Sequence, residues 1–235
     1  MTTRRDEIAA NLTTVRDRIT TACRAAGRGA DDVTLTVVTK FFPASDVRLL
    51  ADLGVGHVGE NRHQEAQAKA AECADLSLTW HFIGGLQSNK AAAVAEYADV
   101  VESVDRAKLL AGLSLGAHRR GRQVDVLVQV NLDPEPAADS GRAGAHPDAA
   151  ERLAEQVVAA DGLRLRGVMA VAPLGADPRP AFARLHQVSE QVRLVEPGAT
   201  WVSAGMSGDL EAAVESGATH VRIGSAVLGS RPPGR

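Results

Sequence analysis

The chain has 235 residues, 45% of them hydrophobic and 23% charged, with a formal net charge of −3. That composition is an ordinary soluble globular one, long enough to bury a full core. The scattered basic residues and 3% aromatics offer neither an electrostatic footprint nor stacking platforms for nucleic acid.

The first predicted element is a long helix over residues 4–26, where Ile8, Leu12, Val15 and Ile19 form one apolar stripe. Thr3 with Asp6 reads as a capping box and Gly27 as a stop. The N-terminus "MTTRRDEIAANL" lacks the apolar core of a signal peptide, and no apolar run approaches the ~18 residues of a spanning helix. Cys23 and Cys73 are far apart and belong to no CxxC or Cys/His cluster, which fits a reducing, cytoplasmic setting.

From there β-like runs near 33–39, 56–59, 79–83, 99–102, 124–130, 163–169, 200–203 and 219–223 alternate with helix-like segments. The helical segments lie near 44–53, 61–73, 88–97, 105–119, 147–160, 179–194 and 207–216. This alternation predicts an α/β fold with a parallel sheet, and eight strands in this length point to a single (β/α)8 TIM barrel. A doubly wound open sheet is the other arrangement with this rhythm. With no repeat and no dividing linker, the reading is one domain over 1–235, with an N-terminal helix within 1–28 and the barrel over 33–235. The segment 131–148, "NLDPEPAADSGRAGAHPD", breaks the rhythm and reads as a surface loop or a lid after the fifth strand.

In the first strand, Val33, Leu35 and Val37 share one face, while Thr34, Thr36, Val38 and Lys40 share the other. The apolar face should meet the helices. Lys40 then ends the strand at the barrel mouth, where catalytic groups of such folds sit. From the strand alone it is either a lysine reaching water or an amine placed to form a Schiff base with a carbonyl. "SAGMSGDLEAAV" (203–214) reads as a strand end and a Gly/Ser turn opening a helix, with Ser207 at the N-cap, an anion site in form. "HVRIGSAVLGSR" (220–231) ends the eighth strand on Arg222, followed by Gly224 and Ser225. Barrels often hold phosphate between the loops after strands seven and eight. Arg222 taken alone would read as a structural ion pair. Glu60 and Asn61 follow the second strand, and His81 lies within the third, as a ligand contact or a core histidine. The seven histidines show no metal-binding spacing, so no metal site is expected.

An amine after strand one and a phosphate cradle after strands seven and eight would face each other across the mouth. Pyridoxal 5′-phosphate (PLP), an aldehyde bearing a phosphate, satisfies both, with an arginine left for its pyridine nitrogen. At this point the sequence resembles the pyridoxal phosphate homeostasis protein family, related to the barrel domain of alanine racemases. The motifs are "VVTKFFPASDV", "GHVGENRHQEAQAK", "WHFIGGLQSNK", "VDVLVQVNLD", "LRLRGVMAVAP" and "SAGMSGDLEAAVESGATHVRIGSAVLGSR", which cover nearly the whole chain from about residue 33.

The resemblance implies a fold-type III barrel holding PLP as a Schiff base on Lys40, with Arg222 facing the ring nitrogen. It implies phosphate binding by Ser207, Gly224 and Ser225, and places Asn61 and His81 near the cofactor. Gly85 stands where the family often has proline, and Arg62 where it often has tyrosine; both flank the expected pocket. The implied role is PLP homeostasis, buffering PLP or delivering it to PLP-dependent apoenzymes, without established catalysis, as a monomer or weak homodimer. The alternative is a PLP enzyme with weak amino-acid racemase-like activity. Racemisation needs proton carriers on both faces of the substrate carbon. The chain ends at Arg235, soon after the eighth strand, without the racemases' second domain, and its single tyrosine, Tyr97, precedes the fourth strand, away from the mouth.

Overall fold

The computed structural model describes residues 2–133 and 143–230. In chain order the elements are α1 (Arg4–Ala25), β1 (Thr34–Val38), α2 (Ala44–Asp52), β2 (His57–Glu60), α3 (His63–Glu72) and β3 (Thr79–Phe82). Then come α4 (Ala91–Ala95), β4 (Val100–Val104), α5 (Leu110–Arg120), β5 (Val124–Gln129), α6 (Ala150–Val158) and β6 (Leu163–Met169). The chain finishes with α7 (Pro178–Val195), β7 (Trp201–Ser203), α8 (Leu210–Glu215), β8 (His220–Ile223) and a short α9 (Ser225–Leu228).

Each strand pairs in parallel with the next, and β1 pairs with β8 through Thr34↔His220 and Thr36↔Arg222, which closes the barrel. The eight-stranded TIM barrel expected from the alternation is therefore present, and the open sheet is not. Helix α1 begins with the expected capping box: the Asp6 N–H bonds Thr3 Oγ1 at 3.2 Å and the Thr3 N–H bonds Asp6 Oδ2 at 3.0 Å. Its stripe Ile8, Leu12, Val15 and Ile19 is buried in a cluster with Val37, Leu50, Leu210 and Val227. That burial, more than helix propensity, holds α1 to the barrel.

The sequence reading places several boundaries differently. The segment 88–97 splits into a 3₁₀ turn and the five-residue α4. The segment 207–216 yields helix only from Leu210. Helix α9 is too short to show a periodicity and has no counterpart in the sequence reading. Of the 131–148 loop, residues 134–142 lie outside the described residues. Its flanks meet through a bridge between Val130 and Ala145.

Two apolar layers lie between strands and helices. Inside the barrel the filling is different. Val100, Leu127, Met169 and Trp201 form a small apolar cluster. Thr36, His81, Glu102, Ser203 and Arg222 are all buried. A barrel interior is normally packed with branched apolar side chains, so this polar filling is a feature to be accounted for.

Candidate functional site

The site starts at the end of β1. Val37 is buried toward the helices, whereas Thr36 points inward against Gly59, as the alternation predicts. The ladder runs one residue past the strand, with the Thr39 N–H on Gly59 O at 2.9 Å. The backbone then turns sharply. Phe41 has φ +73°, the only non-glycine residue with positive φ among the described residues. Such a conformation costs about 1–3 kcal/mol and persists only when its surroundings impose it.

The imposing groups are a buried cluster from β2 and α3. The Phe41 N–H donates to Glu65 Oε1 at 2.5 Å. Lys69 Nζ donates to Thr39 O at 2.8 Å, to Glu65 Oε1 at 3.0 Å and to Glu60. Burial pushes the Glu60 carboxyl upward, opposed by its bonds to Lys69 and Thr39. The backbone on both sides of Lys40 is thus tied to one ammonium, Lys69, and one carboxylate, Glu65. Lys40 itself is left out of these bonds. Its Nζ lies 6.0 Å from the centroid of the Phe41 ring and, among the described residues, joins no hydrogen bond or ion pair.

Lys40 opens into a cavity of about 460 Å³, within the range of small-molecule sites. Its apolar wall is Val38, Phe41, Phe42, Ile83 and Met206; its polar groups are Lys40, Ser207, Arg222, Ser225 and Ser230, with Gly208 and Gly224. Four separate stretches of the chain therefore meet here. Arg62 lies over the outer side of Phe41, 5.0 Å from its centroid.

The N-cap expectation for Ser207 needs correction. Residues 207–209 form a turn, and Asp209, not Ser207, is the N-cap of α8. The Asp209 carboxylate accepts the Met206 N–H at 2.6 Å, which closes the turn and delays the helix. Ser207 is nevertheless at the cavity wall. Gly224 precedes α9, whose first N–H groups have no intrahelical acceptor. An added Cβ at Gly224 would come within 3.3 Å of Val38 O, so close strand–loop approach requires glycine there. Helix α1 braces both loops from outside: Arg18 donates to Ser207 O at 3.0 Å and Asn11 to Val227 O at 3.0 Å.

Arg222 is 4% exposed. Its Nη1 donates to Ser203 Oγ at 2.6 Å and its Nη2 to Ala170 O at 2.8 Å, which uses two of a guanidinium's five N–H donors. Asn61 and His81 are not among the cavity-lining residues. Asn61 is exposed at the end of β2, its carbonyl pressed against Gly84, where no Cβ would fit. His81 is buried in β3 and bonds Glu102 through Nδ1 at 2.7 Å. Sequence reasoning missed Glu102, Ser203, Glu65 and Lys69. The available signal for Glu102 was a charged residue in the middle of the apolar run "VVESV"; its partner on β7 lies 101 positions away.

A larger groove of about 720 Å³ lies at the opposite, N-terminal end of the barrel, lined by His57, Trp80, Tyr97, Asp125 and Trp201 among others. Tyr97 belongs to that end, as its place before β4 implies. The arrangement around Lys40 is the one with chemistry: an amine, a guanidinium, hydroxyls and free backbone donors around an apolar slot. An aromatic aldehyde with an anionic tail matches that donor set in every part.

The family model described as alanine racemase, N-terminal domain, matches residues 4–232. A pyridoxal phosphate homeostasis protein of Mycobacterium tuberculosis is 42% identical over 247 aligned residues, covering 97% of this chain and 94% of the relative. Its counterpart in Escherichia coli is 35% identical, covering 96% and 97%. Among solved structures, PipY of Synechococcus elongatus with PLP bound superposes with a TM-score of 0.80 at 35% identity, covering 94% of this chain and all of that one. The chain belongs to the pyridoxal phosphate homeostasis protein family, within the alanine racemase N-terminal domain family.

Proposed function

We propose that this protein binds PLP covalently through Lys40 and serves intracellular PLP homeostasis by buffering the cofactor and handing it to PLP-dependent apoenzymes. The observation that carries the reading is the convergence of Lys40, Arg222, Ser207, Gly224 and Ser225 on one cavity from three separate parts of the chain. The PLP-bound structure of a relative at 35% identity supports it.

Bound PLP supplies an aldehyde that condenses with an amine, a pyridine ring and a phosphate. Each has a partner here. Lys40 offers an amine kept out of the surrounding ion pairs. Val38, Phe42, Ile83 and Met206 give the ring an apolar bed. Arg222 presents N–H donors to the ring nitrogen. Ser207 and Ser225, with the backbone at Gly208 and Gly224, receive the phosphate. Asn61 and His81 act from outside the cavity wall.

Holding is favoured over two-base chemistry by the lining itself. Among the described residues, Lys40 and Arg222 are its only ionisable side chains. An arginine does not give up its proton at working pH, so Lys40 stands without an opposed acid or base. An arginine at the ring nitrogen also leaves that nitrogen unprotonated, which weakens the ring as an electron sink. The protein works in the cytoplasm as a monomer or weak homodimer.

Adding PLP to the purified protein tests this reading. A visible absorption band is expected, absent in Lys40→Ala. Wild-type protein that stays colourless with excess PLP would refute it.

A further inference from the structure

Inside the barrel, side chains from five strands join end to end. His57 Nδ1 on β2 is 3.0 Å from His81 Nε2 on β3. His81 Nδ1 is 2.7 Å from Glu102 Oε1 on β4. The other carboxylate oxygen, Glu102 Oε2, accepts the Ser203 hydroxyl of β7 at 2.6 Å. Ser203 Oγ in turn accepts Arg222 Nη1 of β8 at 2.6 Å, and Arg222 Nη1 is 3.7 Å from Glu102 Oε2 itself.

The chemistry of these groups fixes the direction of the bonds. Arginine only donates, so the serine oxygen accepts from it and its hydroxyl proton goes to Glu102. A carboxylate only accepts, so His81 Nδ1 carries a proton and donates to it. The donors of His81 and Ser203 both point toward Glu102. A fully buried carboxylate persists only when its oxygens are satisfied and its charge is paired, and both conditions are met here. Burial alone would push the Glu102 carboxyl up, but the His81 hydrogen bond and charge, with Arg222 and Ser203, hold it at about 2.

We infer that Glu102 is the positioning residue of the cofactor site: through Ser203 it aims the Arg222 guanidinium into the Lys40 cavity and supplies the counter-charge behind it. This rests on the reading of that cavity as a PLP site. A bare guanidinium at the ring nitrogen would impose its full positive field on the lysine–PLP linkage. An anion behind it offsets part of that field, and the two bonds at Ser203 and Ala170 remove the rotational freedom of a long side chain. His81 thereby acts on the site two links away, which accounts for its burial outside the cavity wall.

The other charged or titratable groups facing the chain are Asp99 before β4, Arg166 on β6, His220 on β8 and Asp209 before α8. Burial foremost, then neighbouring histidine charge, holds His57 at about 4. Burial likewise holds His220 at about 3, against the pull of Glu102. Neither changes charge above about pH 6, so neither contributes to a titration of the bound cofactor in that range.

The experiment is a pH titration of the visible band of the PLP-loaded protein, with PLP release timed by transfer to a trapping apoenzyme in excess. For Glu102→Gln the band midpoint should fall by about one pH unit, as one buried unit charge is lost, with release about tenfold faster. Glu102→Asp, which keeps the charge, should restore most of the midpoint. Should Glu102→Gln not fold, Ser203→Ala removes only the bridge, and its release should be at least about threefold faster. A wild-type band with unchanged midpoint and release in Glu102→Gln, or unchanged release in Ser203→Ala, would overturn the inference and leave the PLP site intact. No band in the wild type would overturn the PLP site, and the inference with it.

Discussion

Lys40 gains its role from what its neighbours do to the backbone. Lys69 and Glu65 hold Thr39 and Phe41, so the strained turn at Phe41 presents Lys40 to the cavity while the cluster keeps its own charges paired. A strand-end lysine reaching water would need no such frame. Ser207 shows a different lesson. It reaches the cavity by a turn closed by Asp209, not as a helix cap, so its hydroxyl is free of a capping duty. Ser207→Asp would set a carboxylate against a bound phosphate and should weaken PLP binding about tenfold or more. The melting temperature should change little, because Ser207 is only partly buried. Equilibrium titration with PLP beside thermal melts checks this; unchanged affinity would remove Ser207 from the phosphate site.

Helix α1 is the element that ties together the loops carrying Ser207 and Gly224. Arg18 pairs with Glu211 and reaches Ser207 O, Arg4 reaches Leu228 O and Asn11 reaches Val227 O. Arg18→Ala should loosen the Ser207 turn and speed PLP release about two- to fivefold, the size of one lost hydrogen bond. Stopped-flow release should read it, and a rate equal to wild type would make α1 a purely structural cover. The face assignments of β1 and the stripe of α1 were legible because burial follows the periods of strand and helix. The start of α8 was not, because Asp209 competes with the helix for the Met206 N–H. Nor was the role of Glu102, whose partners on β3, β7 and β8 become neighbours only when the barrel closes. The pairing of Lys40 with the loops at 207 and 224 was legible only because the barrel topology, once inferred, dictates which loops face each other.

At the scale of the whole molecule, the polar filling of the barrel predicts a pH dependence of stability. His57 and His220 are held neutral, at about 4 and about 3, below the ordinary 6.5, chiefly by burial. The unfolded chain therefore binds more protons at these two rings than the folded one between about pH 6.5 and 4, so their contribution to stability falls as pH drops through that window. Glu102, held at about 2, begins to lose its stabilising contribution only below about pH 4.5. Melting temperatures from pH 8 to 4.5 should fall mainly below about pH 6.5, with a shallower slope in His57→Gln; a flat profile would contradict neutral burial of these rings. The most direct test of the central claim uses the scarcity of lysine in this chain: Lys40, Lys69, Lys90 and Lys108 are all there are. Borohydride reduction of the PLP-loaded protein, followed by peptide mass mapping, should place the added phosphopyridoxyl group on Lys40 alone. Modification spread over the four lysines, or confined to one of the other three, would contradict the account.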